Sequence, residues 1–150
     1  MKKHHVMIIL CVFAASCVRF PMEVPEITVV HLSIKEVKLL ETSFIFTIRL
    51  DNENPVPLFY EGGVYHFYLG GVRVGKGLSD SRFEIPRLGS ATDEVIVRSS
   101  NVNLGFKIKN LIDAKTLDYR LEGKVYIDLE GRIYEIGVVK DGVYFFEESR

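Results

Sequence analysis

The sequence predicts an all-β fold in which about seven antiparallel strands form a β-sandwich accompanied by one short helix. Several segments alternate apolar and polar residues with a period of two, which is the pattern of a half-buried strand. Clusters of Gly, Pro, Asn and Asp separate these segments and indicate turns. An apolar stripe with the 3.6-residue period of a helix occurs near residues 101–113.

The first predicted strand segment covers residues 27–40, and its apolar parity changes near Lys35 and Glu36. This change predicts a β-bulge, because one extra residue moves every following side chain to the other face. The apolar residues that share one face before the change are Val30, Leu32 and Ile34. Residues 44–51 then alternate strictly and predict the second strand.

A corner follows the second strand and contains two asparagines and two prolines. Pro55 and Pro57 have no N–H to donate, so the ladder stops here. Asn52 and Asn54 are predicted to satisfy the backbone groups that lose their strand partners. We therefore predict that both asparagines are structural locks, and that the prolines direct Leu58 toward the core.

A hairpin is predicted downstream of the corner. The aromatic run of residues 64–69 and the arm of residues 72–77 are joined by Gly70 and Gly71, which favour a tight turn. Further glycines in the returning arm indicate a bulge or a close approach of another backbone. Pro86 is expected to end this arm.

The C-terminal part contains the predicted helix and the last strands. Within residues 101–113 an apolar stripe spaced at i, i+4, i+7 and i+8 predicts the helix, which Asn101 or Asn103 is expected to cap. Residues 117–129 carry apolar side chains at odd positions and predict a strand that turns at Gly131. The pair Asp141-Gly142 predicts another hairpin.

The order of these features resembles the late embryogenesis abundant group 2 family, also called the water stress and hypersensitive response (WHy) domain. The segment Asn52–Leu58 stands where that family has Asn-Pro-Asn-Pro-Phe-Pro-Leu, with Glu53 in place of the middle proline. The residues that carry the family signature are Asn52, Asn54, Pro55, Pro57, Leu58, Tyr65, Gly71, Gly77 and Pro86. The resemblance implies an immunoglobulin-like or fibronectin-III-like sandwich whose helix precedes the last strands.

Residues 1–16 resemble a bacterial lipoprotein signal peptide, with basic residues, a short apolar run and small residues before Cys17. The resemblance implies that the Cys17 thiol receives a diacylglycerol; the alternative is an ordinary secretory signal that leaves a free thiol. We expect a lipidated tether at 17–26, the WHy-type β-sandwich domain at 27–146 and a tail at 147–150. Val18 favours the outer membrane if the source is Gram-negative.

Composition and motifs argue against nucleic-acid binding, metal binding and catalysis. The formal net charge of −1 and the lack of a basic patch argue against nucleic-acid binding. Cys11 and Cys17 both precede the domain, and His31 and His66 have no companions at ligand spacing, so no metal site is expected. We expect no cofactor, and no nucleophile motif points to an enzyme. Adjacent carboxylates such as Asp93-Glu94 are interpreted as solvated.

The leading hypothesis is therefore an exported, membrane-tethered domain of the cell envelope that acts by binding or protection. The family resemblance implies a role in desiccation stress, with client proteins or envelope proteins as partners. One alternative is a carrier of a lipid or a small apolar ligand, in which aromatics at 59, 60, 65, 67 and 68 line a pocket instead of the core. Another is a subunit that docks onto an envelope complex through a sheet edge. A hollow interior favours the carrier, and a filled one with an exposed apolar patch favours docking.

Overall fold

The computed structural model describes residues 21–104 and 116–145, with the side chains of 103 and 104 excepted. This part of the chain forms eight strands and one helical turn. They are β1 (Glu26–Val37), β2 (Glu41–Asn52), β3 (Leu58–Leu69), β4 (Val72–Ser79), β5 (Phe83–Ile85), β6 (Gly89–Ser100), α1 (Asn101–Leu104), β7 (Thr116–Leu129) and β8 (Arg132–Phe145). Every strand pairing is antiparallel, which confirms the predicted all-β class.

The strands form one connected, curled sheet, which corrects the prediction of a sandwich of two separate sheets. The strand order is β1-β2-β6-β4-β3-β7-β8, and β5 pairs with β3. A single pair, Gly77 with Val97, joins β4 to β6. The two ends of the order meet through side chains, since Lys140 of β8 forms an ion pair with Glu26 of β1.

Glycines explain why β4 approaches β6 so closely. A Cβ atom on Gly75 would lie 2.6 Å from the Arg98 carbonyl oxygen, and one on Gly77 would collide with the side chain of Val95. The predicted close approach of a backbone to this arm is therefore confirmed. The predicted bulge is confirmed too, because the register of β3 against β4 shifts between Phe67 and Tyr68.

Strand β1 contains the predicted bulge and one that was not predicted. Its register against β2 shifts between Ile34 and Glu36, as the parity change indicates, and also between Val29 and His31. The extra bulge separates Val30 from Leu32, which were predicted to share a face. Leu32 is buried, whereas Val30 and Ile34 are exposed.

The tight turns fall at two of the three predicted places. Gly70 and Gly71 have φ values of 52° and 76° between the paired residues Leu69 and Val72, which confirms that hairpin. Gly131 forms the β7–β8 turn, where its N–H donates to the Asp128 carboxylate at 2.8 Å. The hairpin predicted at Asp141-Gly142 is wrong, since β8 runs unbroken to Phe145.

Gly142 serves a packing purpose instead of a turn. It pairs with Tyr119 across β7 and β8, and a Cβ atom there would lie 2.6 Å from atoms of the Tyr119 ring. Tyr119 is buried, and its hydroxyl accepts a hydrogen bond from the Val29 N–H at 3.4 Å across the meeting of β1 and β8. The glycine therefore admits the ring that helps hold the two sheet edges together.

The inner face of the curled sheet is filled by large side chains. The rings of Phe46 and Phe67 stack with centroids 3.9 Å apart, and Tyr60 packs on Phe83 at 4.8 Å. The largest fully buried side chains are Tyr60, Tyr65, Phe46, Phe67, Ile48, Leu50, Leu58, Leu69, Ile85, Leu121 and Ile127. Five of these lie on β2 and β7 at the parity that the alternation predicted.

The helix predicted over residues 101–113 is described only in its first turn, Asn101–Leu104, and the remainder lies outside the described residues. Asn101 does not act as the expected cap. Its side-chain N–H groups donate to the carbonyls of Lys38 and Leu39 at 2.7 and 3.1 Å. This side chain therefore closes the β1–β2 turn.

We predict that Gly142→Ala lowers the free energy of unfolding by about 1–3 kcal/mol, because the new methyl group overpacks the Tyr119 ring. Gly137→Ala is the matched control on the same strand, since its Cβ would meet nothing within 4 Å. Denaturant unfolding of both variants measures the difference. Equal stability of the two variants would refute the packing role of Gly142.

Candidate functional site

The corner after β2 is the most highly hydrogen-bonded site among the predicted signature residues. Asn52 is 2% exposed and Asn54 is 4% exposed. The Asn52 side-chain amide donates to the carbonyl oxygens of Val56 at 2.9 Å, Pro86 at 3.1 Å and Ile85 at 3.3 Å. One amide thus satisfies acceptors from both the corner and the end of β5.

The two asparagines also bind one another. The Asn52 side-chain oxygen accepts hydrogen bonds from the Asn54 backbone N–H at 3.0 Å and from its side-chain amide at 2.9 Å. The Asn54 carbonyl in turn accepts from the Leu88 N–H at 3.0 Å. The pair therefore uses its side-chain groups on neighbouring backbone, as a structural lock requires.

Asn54 has a further partner that the sequence did not reveal. Its side-chain amide donates to the Glu23 carbonyl at 2.8 Å, and its side-chain oxygen accepts from the Glu23 N–H at 3.0 Å. This reciprocal pair pins the chain just before β1 to the corner. No local pattern signals it, because the two residues are 31 positions apart.

The other corner residues lie around this pair. Pro55 and Pro57 are exposed, whereas Leu58 is fully buried and pairs with Ile85 at the start of β3. Pro86 is exposed and follows β5 directly, and its carbonyl also accepts from the Gly89 N–H at 3.2 Å. The remaining signature residues lie elsewhere along β3 and β4: Tyr65 in the core, Gly71 at the hairpin tip and Gly77 against β6.

A buried polar cluster lies in the core and was not predicted. The hydroxyls of Tyr60 and Tyr65 are 2.8 Å apart, and Ser79 and Ser81 donate to the two oxygens of Asp93 at 2.5 and 2.8 Å. Asp93 is only 7% exposed, so its interpretation as a solvated carboxylate is wrong. The alternation of β6 points Asp93 inward. There it meets Ser79 at the end of β4 and Ser81 in the loop that follows β4.

The phenols of this cluster are held neutral. Burial is the main cause that raises the pKa of Tyr60 to about 12, and hydrogen bonds from Ser79 and Tyr65 oppose it. Burial also raises the pKa of Tyr65, with Tyr60 as the next cause. A phenol whose pKa lies far above neutrality keeps its proton at neutral pH, so these hydroxyls remain available as hydrogen-bond donors that hold the strands together.

The histidines are separate and each has a different partner. The His31 ring nitrogen lies 3.3 Å from the Tyr144 hydroxyl, and that of His66 lies 2.9 Å from the Arg73 guanidinium. Within residues 21–104 and 116–145, no group of three or more His, Cys, Asp and Glu residues is placed to hold a metal ion. In the same ranges, no helix has the length and hydropathy needed to span a bilayer.

An open groove of about 510 Å³ lies beside the corner. Its lining is mostly apolar and consists of Pro21, Met22, Val56, Pro57, Phe59, Leu129 and Glu130. Phe59 is 43% exposed, in contrast to Tyr60, Tyr65 and Phe67 of the same aromatic set, which are buried in the core. The aromatic residues thus divide between the core and this surface groove.

Comparison with known proteins places the chain in a family. A sequence profile of the late embryogenesis abundant protein family LEA_2 matches residues 47–135, which is more than half of the 150 residues. The chain belongs to the LEA_2 family. The LEA_2 match contains the Asn52–Leu58 corner and every strand from β3 to β7. No curated protein matches the sequence.

Solved structures resemble this LEA_2 chain in fold at low sequence identity. A solution structure of a protein from Arabidopsis thaliana has a TM-score of 0.56 at 17% identity, covering 92% of this chain and 91% of its own. A crystal structure of a protein from Archaeoglobus fulgidus has a TM-score of 0.49 at 16% identity, covering 81% of this chain and 96% of its own. The Arabidopsis likeness shows that the LEA_2 chain shares its fold.

We predict that Asn52→Ala and Asn54→Ala each lower the free energy of unfolding by about 1–3 kcal/mol, because buried backbone carbonyls and N–H groups lose their partners. Glu53→Ala is the matched control, since Glu53 lies between them and is exposed. Denaturant unfolding gives the stabilities, and hydrogen exchange at the Glu23 amide should accelerate in Asn54→Ala. An Asn52→Ala or Asn54→Ala variant that is as stable as wild type but has lost its protective or partner-binding activity would instead identify a binding site.

Proposed function

We propose that this protein is an exported, lipid-anchored domain of the WHy type that protects other envelope proteins during water loss and has no catalytic activity. Membership of the LEA_2 family carries the proposal. The polar groups of the signature corner support a non-enzymatic role, because they are engaged with backbone partners instead of facing a substrate. The outer membrane is the proposed location if the source is Gram-negative.

The outer face suits a protein that must remain hydrated and soluble at high concentration. Exposed charges of both signs lie side by side, as in the pairs Arg49–Asp51 at 2.9 Å and Lys124–Glu135 at 2.5 Å. Such exposed pairs contribute about 0–1 kcal/mol each to stability, so their main effect is on the surface. Interspersed charges of both signs keep the outer face hydrated, which suits a domain that separates partly unfolded clients.

The carrier alternative loses support from the packing of the core. Phe46 and Phe67 stack at 3.9 Å across the interior, and Tyr60 and Tyr65 meet there through their hydroxyls. These side chains occupy the space in which a ligand between sheets would lie. The open groove beside the corner is at the surface and leaves the inner face undisturbed.

A docking role is the second candidate, and one surface favours it. Strand β8 is the last in the strand order, and its outward side chains include Ile133, Val139, Val143 and Phe145, which are between 48% and 68% exposed. Exposed apolar side chains along an edge strand are a common feature of protein interfaces. Charged substitutions there separate docking from general protection.

Cys17 lies outside the described residues, and its acylation is the first test of the proposal. We expect the wild-type protein to carry a diacylglycerol at Cys17, because residues 1–16 resemble a lipoprotein signal peptide. Each buried methylene of the acyl chains would contribute about 0.8 kcal/mol to membrane binding. Cys17→Ser should leave the protein unprocessed or released from membranes. Intact-mass analysis of the wild-type N-terminus decides the matter, and an unmodified cysteine would refute the anchor.

We further expect the purified mature protein to preserve the activity of a labile client enzyme through drying or freezing at equimolar ratio. An equal mass of an unrelated globular protein is the control, and protection no greater than that control would contradict the proposal.

A Val139→Lys, Val143→Lys double variant tests the second candidate. If it folds but no longer protects, the β8 surface acts by docking and general shielding is wrong.

A further inference from the structure

Strand pairing shows that four segments of the chain lie at the same end of the curled sheet. Register pairs Glu26 with Asp51, Asn52 with Gly89, and Leu129 with Arg132. The beginning of β1, the corner after β2, the loop before β6 and the β7–β8 turn therefore lie together. We call this the tethered end, and it consists of residues 21–25, 53–57, 86–88 and 130–131.

The chain leading to Cys17 leaves from this end in a fixed place. Asn54 holds Glu23 by two reciprocal hydrogen bonds of 2.8 and 3.0 Å. Cys17 precedes Glu23 by six residues. Six extended residues span at most about 20 Å, so an acylated Cys17 keeps the tethered end within that distance of the bilayer.

Leu88 is an unusual residue at the tethered end. It is 72% exposed, and its φ of 51° lies in the left-handed region that favours Gly or Asn over an apolar residue with a branched side chain. The Gly89 N–H donates to the Pro86 carbonyl at 3.2 Å, so Leu88 occupies the third position of a four-residue turn. The turn itself does not call for leucine, which points to a use for the side chain outside the fold.

The loop that carries Leu88 is held firmly. The Leu88 N–H donates to the Asn54 carbonyl, and the Pro86 carbonyl accepts from Asn52. The same asparagine pair therefore positions both the tether and the apolar loop tip. The apolar groove lies at the same end of the sheet, with Phe59 43% exposed, and Val24 of the tether is 49% exposed.

We propose that the tethered end lies against the lipid bilayer and that Leu88 inserts at its headgroup–acyl boundary. The inference rests on the proposed acylation of Cys17, which brings this end to the membrane. The exposed charged residues of the tethered end are Arg87, Glu23, Glu53 and Glu130, and this excess of negative charge favours a zwitterionic over an anionic headgroup layer. The opposite end and the C-terminal part of the β8 surface, with Val139, Val143 and Phe145, then lie away from the membrane and remain free to meet clients.

The test uses the mature acylated protein reconstituted in phosphatidylcholine vesicles with brominated acyl chains. Acylation consumes the Cys17 thiol and processing removes Cys11, so an introduced cysteine is labelled alone with an environment-sensitive dye. Leu88→Cys should be quenched at least about two-fold more than Leu39→Cys, because an inserted group reaches the acyl boundary. Leu39 is the matched control, being 91% exposed in the β1–β2 turn at the other end.

A second experiment moves the dye away from residue 88, so that the dye cannot itself cause insertion of the loop tip. With the dye at Glu53→Cys, Leu88→Asn should decrease quenching by about two-fold, whereas Leu39→Asn should leave it unchanged. Asn tolerates the left-handed conformation, so the loop keeps its fold. Unchanged quenching in Leu88→Asn, or equal quenching of the residue-88 and residue-39 dyes, would overturn the orientation.

Intact mass of each preparation distinguishes the two ways in which the proposal fails. An acylated protein whose residue-88 dye is not quenched overturns the orientation alone and leaves the lipid anchor in place. A protein without acyl chains overturns the anchor, and this orientation with it.

Discussion

The structure depends on how two side-chain amides replace strand partners where β2 ends. Asn52 and Asn54 are buried, and between them they bind the corner, the end of β5, the loop before β6 and the chain before β1. A buried carbonyl without a partner costs about 1–3 kcal/mol, so these amides stabilise the place where several strand ends meet. The same two amides therefore hold the strand ends together and fix the point at which the tether leaves the domain.

Glycine provides the second constraint, because it determines how closely neighbouring strands approach. Without a Cβ at Gly75 and Gly77, β4 reaches β6 and joins what would otherwise be two sheets. Gly142 does the same for the Tyr119 ring, whose hydroxyl reaches the backbone of β1. The curled sheet thus encloses one core, in which stacked aromatics fill the space between the facing strands.

The proposed function uses the surface, since the polar groups of the interior bind one another. The Asp93 cluster is buried and hydrogen-bonded, and Tyr60 has its pKa raised mainly by burial. What remains available is an outer face with paired charges, an apolar strip on β8 and the tethered end. Under the proposed acylation of Cys17, the geometry at Asn54 links these surfaces, because the position of the tether would decide which of them faces the membrane and which faces other proteins.

The sequence by itself determined the local features: the alternation of β2 and β7, the Gly70-Gly71 hairpin, the bulge near Lys35 and the corner at Asn52. These follow from short-range sterics and the period of two, which a single segment displays. Only the tertiary structure decided that the strands form one curled sheet, that Asp93 is buried and that Asn54 holds Glu23. Those outcomes depend on contacts between residues far apart in the chain, such as Gly142 with the Tyr119 ring, and no local pattern encodes which distant group will be the partner.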